Sequence, residues 1–274
     1  MALSETTYRL LATDESAPIT VYNADGKSPF LIVVDHAGKA LPRSLDGLGI
    51  SEAECERHIA WDIGIASVSR FVADTLDATM VQQNYSRLVI DCNRAPGSET
   101  SIPETSELRS IPGNVGLTEV MKAARFREIF QPYHDRIASE LDRRRQVGQP
   151  AVLIAMHSFK PVYLGAARPW QCSMLYNRDP RFARVLMALL SREDGILVGD
   201  NEPYSVTDAM DYTIPVHGEQ RGLLHVEIEI RQDLIADDSG QRMWGARLAR
   251  LLPEAYQTLA TADVSIKRFA PERS

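Results

Sequence analysis

The stretch "FLIVVDHAGKALP", residues 30–42, decides the fold class predicted for this chain. Its first five residues are apolar, and Asp35 and His36 follow them directly. Continuous apolar runs of this length are typical of strands in a mostly parallel sheet that helices cover on both faces. A strand that ends in a carboxylate and an imidazole either reaches the surface there or brings reactive side chains to the edge of the sheet.

Similar apolar runs recur along the chain, separated by amphipathic segments. The further predicted strands are "TMVQQ" (79–83), "RLVIDCNR" (87–94), "AVLIAMHS" (151–158), "GILVGDN" (195–201) and "GLLHVEIEI" (222–230). Helical spacing predicts helices at 51–76, 118–147, 180–194 and 240–262, and Pro132 should kink or split the second. We therefore expect an α/β fold, with a central mixed, mostly parallel sheet flanked by helices, in a single domain spanning 1–274.

Charge and cysteine content restrict the classes of function. The chain has 274 residues and a net charge of −7, which argues against nucleic acid or an anionic membrane surface as a partner. An anionic substrate must therefore be bound by local arginines.

The three cysteines, Cys55, Cys92 and Cys172, form no CxxC pair, so neither a disulfide framework nor a thiolate zinc site is indicated. With no signal-peptide pattern and no run of roughly 18 apolar residues, we expect a soluble cytoplasmic protein; the oligomeric state stays open.

The longest irregular region lies at 95–117 and is rich in proline, glycine, serine and threonine. It could be a linker between two domains. A loop of this length inside one domain is more often a lid or a binding loop. We favour the second interpretation because apolar runs of the same character flank the region on both sides.

Polar residues follow four of the apolar runs. They are Asp35–His36, Asn93–Arg94, His157–Ser158 and Asp200–Asn201. Open α/β sheets bind ligands outside the carboxyl ends of their strands, so these side chains suggest one shared site. A lone histidine after a strand is more often a surface or hydrogen-bonded residue, but two in this position favour a metal site. His58 and His134 lack this context and are predicted to be structural.

The stretch "LLHVEIEIRQDL", residues 223–234, combines an apolar face with a charged one. Strand alternation places His225, Glu227 and Glu229 on the same side. Carboxylates on an interior strand are costly unless they are paired, hydrogen-bonded or close to a metal. The alternative is an edge strand with a solvated polar face, although the stretch lacks the lysine that edge strands often carry.

Two arginines bracket the run "RLVIDCNR". A guanidinium presents a planar fork that suits a carboxylate, so the pair Asn93–Arg94 is a candidate carboxylate receptor. Alternatively, Arg87 or Arg94 pairs only with Asp91 or another acid. The chain contains no GxSxG elbow, P-loop, HExxH motif or glycine-rich dinucleotide fingerprint that would favour other chemistry.

The order of several short motifs resembles the N-formylglutamate amidohydrolase family over roughly residues 30–235. The motifs are "DHAGKALP", "WDIG", "YSRLVIDCNR", "AMHS", "NEPYS" and "HGEQRGLLHVEIEIRQDLI". The family is similar in fold to zinc carboxypeptidases and aspartoacylases, a phosphorylase/hydrolase-like architecture. The resemblance implies a zinc-dependent amidohydrolase, or one using another divalent metal, that acts on a small anionic acyl-amino acid. N-formyl-L-glutamate, cleaved to glutamate and formate in histidine catabolism, is the best candidate.

The resemblance also implies a set of metal ligands. His36 and His157 match the family's two strand-end histidines, which look like zinc ligands. The carboxypeptidase pattern has a glutamate three residues after the first histidine, where this chain has Lys39. Zinc needs a third protein ligand and an open position, so Asp62 of "WDIG" is the preferred substitute, with Asp35 as the second choice.

The remaining roles also follow from the resemblance. Glu229 matches the catalytic base, whereas Glu227 stands where the family often has glutamine and is the weaker candidate. Arg87 could stabilise the oxyanion or bind a second carboxylate. The expected substrate-binding residues are Asn93, Arg94, Asn201 and Tyr204. Two alternatives stay open: a related metallo-amidase for another acyl-amino acid or a γ-glutamyl or cell-wall peptide, and a non-catalytic small-molecule-binding protein.

Overall fold

The computed structural model describes residues 8–262, in which strands and helices alternate along the chain. The strands are β1 (Ile19–Tyr22), β2 (Phe30–Val34), β3 (Thr79–Gln83), β4 (Thr105–Ser106), β5 (Arg109–Ser110), β6 (Val152–Phe159), β7 (Val162–Tyr163), β8 (Ala166–Ala167), β9 (Cys172–Leu175), β10 (Val198–Asp200) and β11 (Leu224–Arg231). The α-helices are α1 (Glu52–Cys55), α2 (Ile65–Leu76), α3 (Glu119–Arg125), α4 (Gln131–Gln146), α5 (Arg181–Leu190) and α6 (Asp238–Ala262). Phe126–Phe130 and Ile214–Glu219 are π-helical, and Arg43–Gly49, Pro112–Asn114 and Gln232–Leu234 form 3₁₀ turns.

Seven of the described strands form one mixed sheet, in the order β1-β3-β2-β6-β11-β9-β10. The pairs β3–β2, β2–β6, β6–β11 and β9–β10 are parallel, whereas β1–β3 and β11–β9 are antiparallel. The predicted α/β class with a mostly parallel sheet is confirmed. Because β11 lies between β6 and β9, the edge-strand alternative for this segment is wrong.

The two faces of the sheet carry separate apolar layers. In β2, Ile32 and Val34 belong to the layer under α2, α5 and α6, while Leu31 and Val33 belong to the layer under α4. Every residue of β2 is at most 2% exposed. A central strand covered on both faces buries both sets of alternating side chains, which explains the continuous apolar run.

The predicted helix at 51–76 is interrupted in the structure. Ser51 caps α1 through the expected capping box with Glu54, but α1 ends at Cys55. Residues 56–64 form turns and irregular backbone, and Gly64, with a φ of 80°, is the N-cap residue of α2. The motif "WDIG" therefore lies in a break between two helices, where backbone irregularity can direct Asp62 into the protein.

The predicted helix at 118–147 does not split at Pro132. The chain stays helical from α3 through a π-helical segment into α4, and Pro132 lies in the first turn of α4. The Gln131 N–H donates to the Phe126 carbonyl, so the hydrogen-bond register shifts next to the proline. Since Pro132 has no N–H to contribute, this shift accommodates it within the helix.

Other strand predictions were partly wrong. Residues 87–94 form turns instead of a strand, although Leu88, Val89 and Ile90 are fully or almost fully buried. The apolar run thus predicted the burial of these residues correctly, but its prediction of an extended backbone was wrong. The run at 195–201 contributes only the short β10, while β1 and β9 had not been predicted.

Two further predictions concern the whole chain. Within 8–262, no helix combines the length and apolar character needed to cross a membrane. The domain extent of 1–274 stays a prediction, because 1–7 and 263–274 lie outside the described residues.

Gly64→Ala should destabilise the fold more than Gly97→Ala. Both glycines have φ near 80°, at 80° and 81°, so both substitutions carry the left-handed penalty of about 1–2 kcal/mol. At Gly64 a Cβ would also overlap the Ile235 carbonyl oxygen, whereas nothing lies within 4 Å of a Cβ at Gly97. Overpacking adds about 1–3 kcal/mol to the loss at Gly64. Urea unfolding measures both variants, and equal losses would contradict this account of the "WDIG" turn.

Candidate active site

A cavity of about 430 Å³ opens at the carboxyl ends of β2, β6 and β11. Nearly all of the predicted site residues line it: His36, Asp62, Arg87, Asn93, Arg94, His157, Tyr204, Glu227 and Glu229. Asn201 does not. Its Oδ1 accepts a hydrogen bond of 2.9 Å from the Tyr176 N–H, so it fixes the backbone that follows β9. The structure thus brings most of the predicted residues to one cavity and places Asn201 outside its lining.

His36, Asp62 and His157 form a compact group of potential metal ligands. One ligand atom from each lies within 4.8 Å of the others, and all three residues are buried. Asp62 Oδ2 lies 3.1 Å from His157 Nδ1 and 3.6 Å from His36 Nδ1. The buried His36 Nδ1 has no hydrogen-bond partner among the described residues. Two imidazole nitrogens and one carboxylate oxygen fit the three-ligand pattern of a catalytic zinc site.

Backbone contacts hold this group together across distant parts of the chain. The Asp62 N–H donates to the His36 carbonyl at 2.8 Å. The Ser158 N–H donates to Asp62 Oδ2 at 3.2 Å. The break between α1 and α2 is therefore tied directly to the turn after β2 and to the end of β6.

Two further carboxylates, those of Asp91 and Asp35, contact the other ring nitrogens of the two histidines. His36 Nε2 lies 2.7 Å from Asp91 Oδ1, and His157 Nε2 lies 3.0 Å from Asp35 Oδ2. Such partners fix the ring orientation and the tautomer of metal-binding histidines. The structure thus brings Asp62, rather than Asp35, to the Nδ1 atoms. Sequence reasoning considered Asp91 only as a partner for an arginine and missed this contact.

Lys39 takes no part in the ligand group. Its Nζ lies 2.6 Å from Glu56 Oε1 and 5.0 Å from the centre of the Trp61 ring, at a solvent-exposed position. The side chain that replaces the carboxypeptidase glutamate therefore turns to the surface. The carboxylate beside the two histidine Nδ1 atoms is that of Asp62, from another segment of the chain.

The pKa values of Asp35 and Asp62 depend on the charged groups around them. Burial raises the pKa of Asp35, but the hydrogen bond and charge of His157 outweigh it and lower that pKa to about 2. Burial likewise acts against ionisation of Asp62, yet the Arg87 charge and the two histidines hold its pKa well below the usual range. The two carboxylates therefore remain ionised at neutral pH and favour a cation between the imidazoles.

Glu227 and Glu229 project from β11 into the cavity and are 3% and 4% exposed. Burial raises the pKa of Glu227 to about 8 and that of Glu229 to about 7. Glu227 Oε2 accepts from Asn93 Nδ2 at 3.4 Å, and Glu229 Oε1 accepts from the Tyr204 hydroxyl at 3.0 Å. Glu229 Oε2 is buried and has no hydrogen-bond partner in residues 8–262.

The two predicted carboxylate-binding arginines already have acidic partners. Arg87 donates to Asp62 Oδ1, and Arg94 Nη1 lies 3.0 Å from Asp211 Oδ1. Asn93 Oδ1 accepts from the Tyr212 and Thr213 N–H groups, so it also holds the segment beside Asp211. A guanidinium has five N–H donors, so both arginines can bind a further anion.

The irregular region at 95–117 forms part of the cavity wall. It folds into the β4–β5 hairpin, and the Glu107 carboxylate pairs with His58 Nε2 at 3.1 Å and Lys160 Nζ at 3.0 Å. This contact favours a binding loop over a linker. Of the two histidines predicted to be structural, His58 lines the cavity. His134 does not; it is buried, and its ring nitrogens contact the Cys92 carbonyl and His217.

Comparisons with known proteins agree on one family. A family model described as N-formylglutamate amidohydrolase matches residues 28–236. The N-formylglutamate deformylase of Pseudomonas putida is 32% identical over 147 residues, which are 49% of this chain and 53% of that protein. The chain thus spans about half the length of the curated relative that it matches.

Two solved structures are similar over most of the chain. The gene product Atu2144 from Agrobacterium tumefaciens has 35% sequence identity and a TM-score of 0.88, covering 92% of this chain and 100% of that one. The N-formylglutamate amidohydrolase from Ralstonia eutropha has 18% identity and a TM-score of 0.66, covering 90% and 100%. At 18% identity, the second structure supports the fold alone.

Replacing one orienting carboxylate should weaken metal binding without abolishing it. Asp91→Asn removes the charge beside His36 Nε2, and we expect the affinity for Zn²⁺ to fall about 10- to 100-fold. His157→Ala removes a ligand and should abolish tight binding. Competition with a chromophoric chelator measures the affinity, with Asp74→Asn at an exposed position of α2 as the matched control. Unchanged affinity in His157→Ala would refute the assigned ligand group.

Proposed function

Since the chain belongs to the N-formylglutamate amidohydrolase family, we propose that it hydrolyses the amide bond of a small N-acyl amino acid. N-formyl-L-glutamate is the best candidate substrate, and glutamate and formate are then the products. The observation that carries the proposal is one cavity holding a buried group of two histidines and an aspartate beside the free oxygen of Glu229.

His36, Asp62 and His157 would hold a divalent cation, with zinc favoured by the donor set. When bound, the cation supplies Lewis-acid activation of water and of the acyl carbonyl. Asp35 and Asp91 keep the two imidazole rings oriented through their Nε2 atoms.

Glu229 acts as the general base in this proposal. Its free Oε2 accepts a proton from the attacking water and passes it to the nitrogen of the leaving amino acid. The Tyr204 hydroxyl holds Oε1, so Oε2 is the oxygen that residues 8–262 leave without a partner. A carboxylate with a pKa near 7 can both take and return a proton at neutral pH.

Arg94 and Asn93 would bind the α-carboxylate of the amino acid, and Arg87 would stabilise the negative charge that develops on the acyl oxygen. Their positions on the cavity wall support these roles. The Arg87–Asp62 contact also places a fixed positive charge next to the ligand group, where a developing oxyanion benefits from preorganised donors.

The protein should release formate from N-formyl-L-glutamate in a metal-dependent reaction. Removing bound metal with a chelator should abolish formate release, and adding Zn²⁺ should restore it, because water activation depends on the cation. An enzymatic formate assay, run with metal analysis of the same samples, measures both. A metal-replete protein that releases no formate from any N-formyl amino acid would refute the proposed reaction.

Glu229→Gln should lower kcat by about 10²- to 10⁴-fold while zinc content stays the same, because only the proton acceptor is lost. Glu227→Gln is the matched control on the same strand. Since burial raises the pKa of Glu227 to about 8, it is mostly neutral at pH 7 and glutamine resembles it. We expect a loss below about tenfold there. A larger loss in Glu227→Gln than in Glu229→Gln would reverse the two roles.

A further inference from the structure

A third arginine of the cavity, Arg168, has no role in the reaction described above. Its backbone N–H donates to the Pro161 carbonyl at 2.8 Å and closes the β7–β8 hairpin. Its side chain lines the cavity. Arg87 and Arg94 each have an acidic partner, whereas within 8–262 the Arg168 guanidinium has neither an ion pair nor a hydrogen bond.

Aromatic rings hold the Arg168 guanidinium in place. Its Cζ lies 4.7 Å from the centre of the Tyr163 ring, 5.4 Å from Tyr204 and 5.9 Å from Phe159. Ring faces stabilise a cation without consuming its N–H donors. The planar fork is therefore positioned but keeps its hydrogen-bonding capacity for another group.

Tyr204 links this guanidinium to the reaction centre. Its ring contacts Arg168, and its hydroxyl donates to Glu229 Oε1. One tyrosine side chain therefore spans the space between Arg168 and the proposed base. A substrate with its amide at Glu229 can extend a short side chain toward Arg168.

The acidic lining of the cavity favours such a receptor for an anionic substrate. Six acids line the wall: Asp62, Asp91, Glu107, Asp211, Glu227 and Glu229. A substrate with two carboxylates meets repulsion from the ionised acids of this wall unless arginines of the cavity offset it. Three arginines line the cavity, and Arg87 and Arg94 each form an ion pair with an acid. Arg168 forms none with any acid of residues 8–262.

We infer that Arg168 binds the side-chain carboxylate of the substrate and sets the preference for acidic over neutral N-acyl amino acids. The inference rests on the proposed function. A bidentate guanidinium–carboxylate contact discriminates against the neutral amide of the same shape, because the amide offers one acceptor and no charge. The preference that this contact supplies is about 10- to 100-fold in kcat/KM.

The test compares N-formyl-L-glutamate with N-formyl-L-glutamine, its neutral isostere, on the metal-replete enzyme. The readout is the ratio of the two kcat/KM values, which does not depend on the fraction of folded protein. In Arg168→Gln the ratio should fall about 10- to 100-fold, and Arg168→Lys should retain part of it, since charge remains but the fork is lost.

The matched control is Arg70→Gln. Arg70 also stacks on an aromatic ring, with its Cζ 4.0 Å from the centre of the Tyr22 ring, but lies on α2 and does not line the cavity. Its ratio should equal that of the wild type. An unchanged ratio in Arg168→Gln, or hydrolysis of both compounds without preference by the wild type, overturns the role of Arg168 and leaves the proposed function standing. Hydrolysis of neither compound excludes N-formyl-L-glutamate as the substrate and overturns this inference with it, and formate release from the other N-formyl amino acids then decides the proposed function.

Discussion

The buried carboxylate of Asp62 is the group on which the arrangement of the site depends. It is 2% exposed, and a charge so far from water is tolerated only when it is paired and hydrogen-bonded. The chain meets this requirement with the Arg87 guanidinium, the Ser158 N–H and the imidazole of His157. These partners come from two separate segments, because His157 and Ser158 both lie on β6. Compensating one charge therefore fixes the turn after α1, the segment 84–94 and the end of β6 relative to each other.

The interior of the sheet was predictable from sequence, because burial on both faces leaves a continuous apolar run. This explains the correct predictions for β2, β6 and β11. The same physics explains the failure at 87–94, where Leu88 and Val89 are as deeply buried as a strand residue but lie in turns. Periodicity cannot separate a buried turn from a short buried strand. For residues 87–94 the prediction of burial was right, and the prediction of an extended backbone was wrong.

The types of residue in the site were also predictable, but their pairing was not. Sequence reasoning preferred Asp62 to Asp35 as the third ligand, but it could not tell which imidazole nitrogen either carboxylate would contact. The structure separates them by the ring nitrogen that each one contacts: Asp35 binds the Nε2 of His157, and Asp62 faces the Nδ1. Arg168 was missed for a related reason. It follows the small β7–β8 hairpin rather than a strand of the main sheet, so no strand-end pattern marked it.

The two glutamates of β11 show how an interior strand can carry carboxylates at all. Alternation directs both side chains into the same cavity, and the register with β6 sets Glu229 opposite His157. Burial raises both pKa values, so proton uptake offsets part of the desolvation cost when no cation is near. Asn93 satisfies one oxygen of Glu227, whereas one oxygen of Glu229 has no partner in the part of the chain that the structure describes. An unsatisfied buried oxygen costs stability, and the fold retains one on the glutamate that we propose as the base. The same strand thus holds Glu227, which Asn93 contacts, and Glu229, one oxygen of which has no partner within residues 8–262.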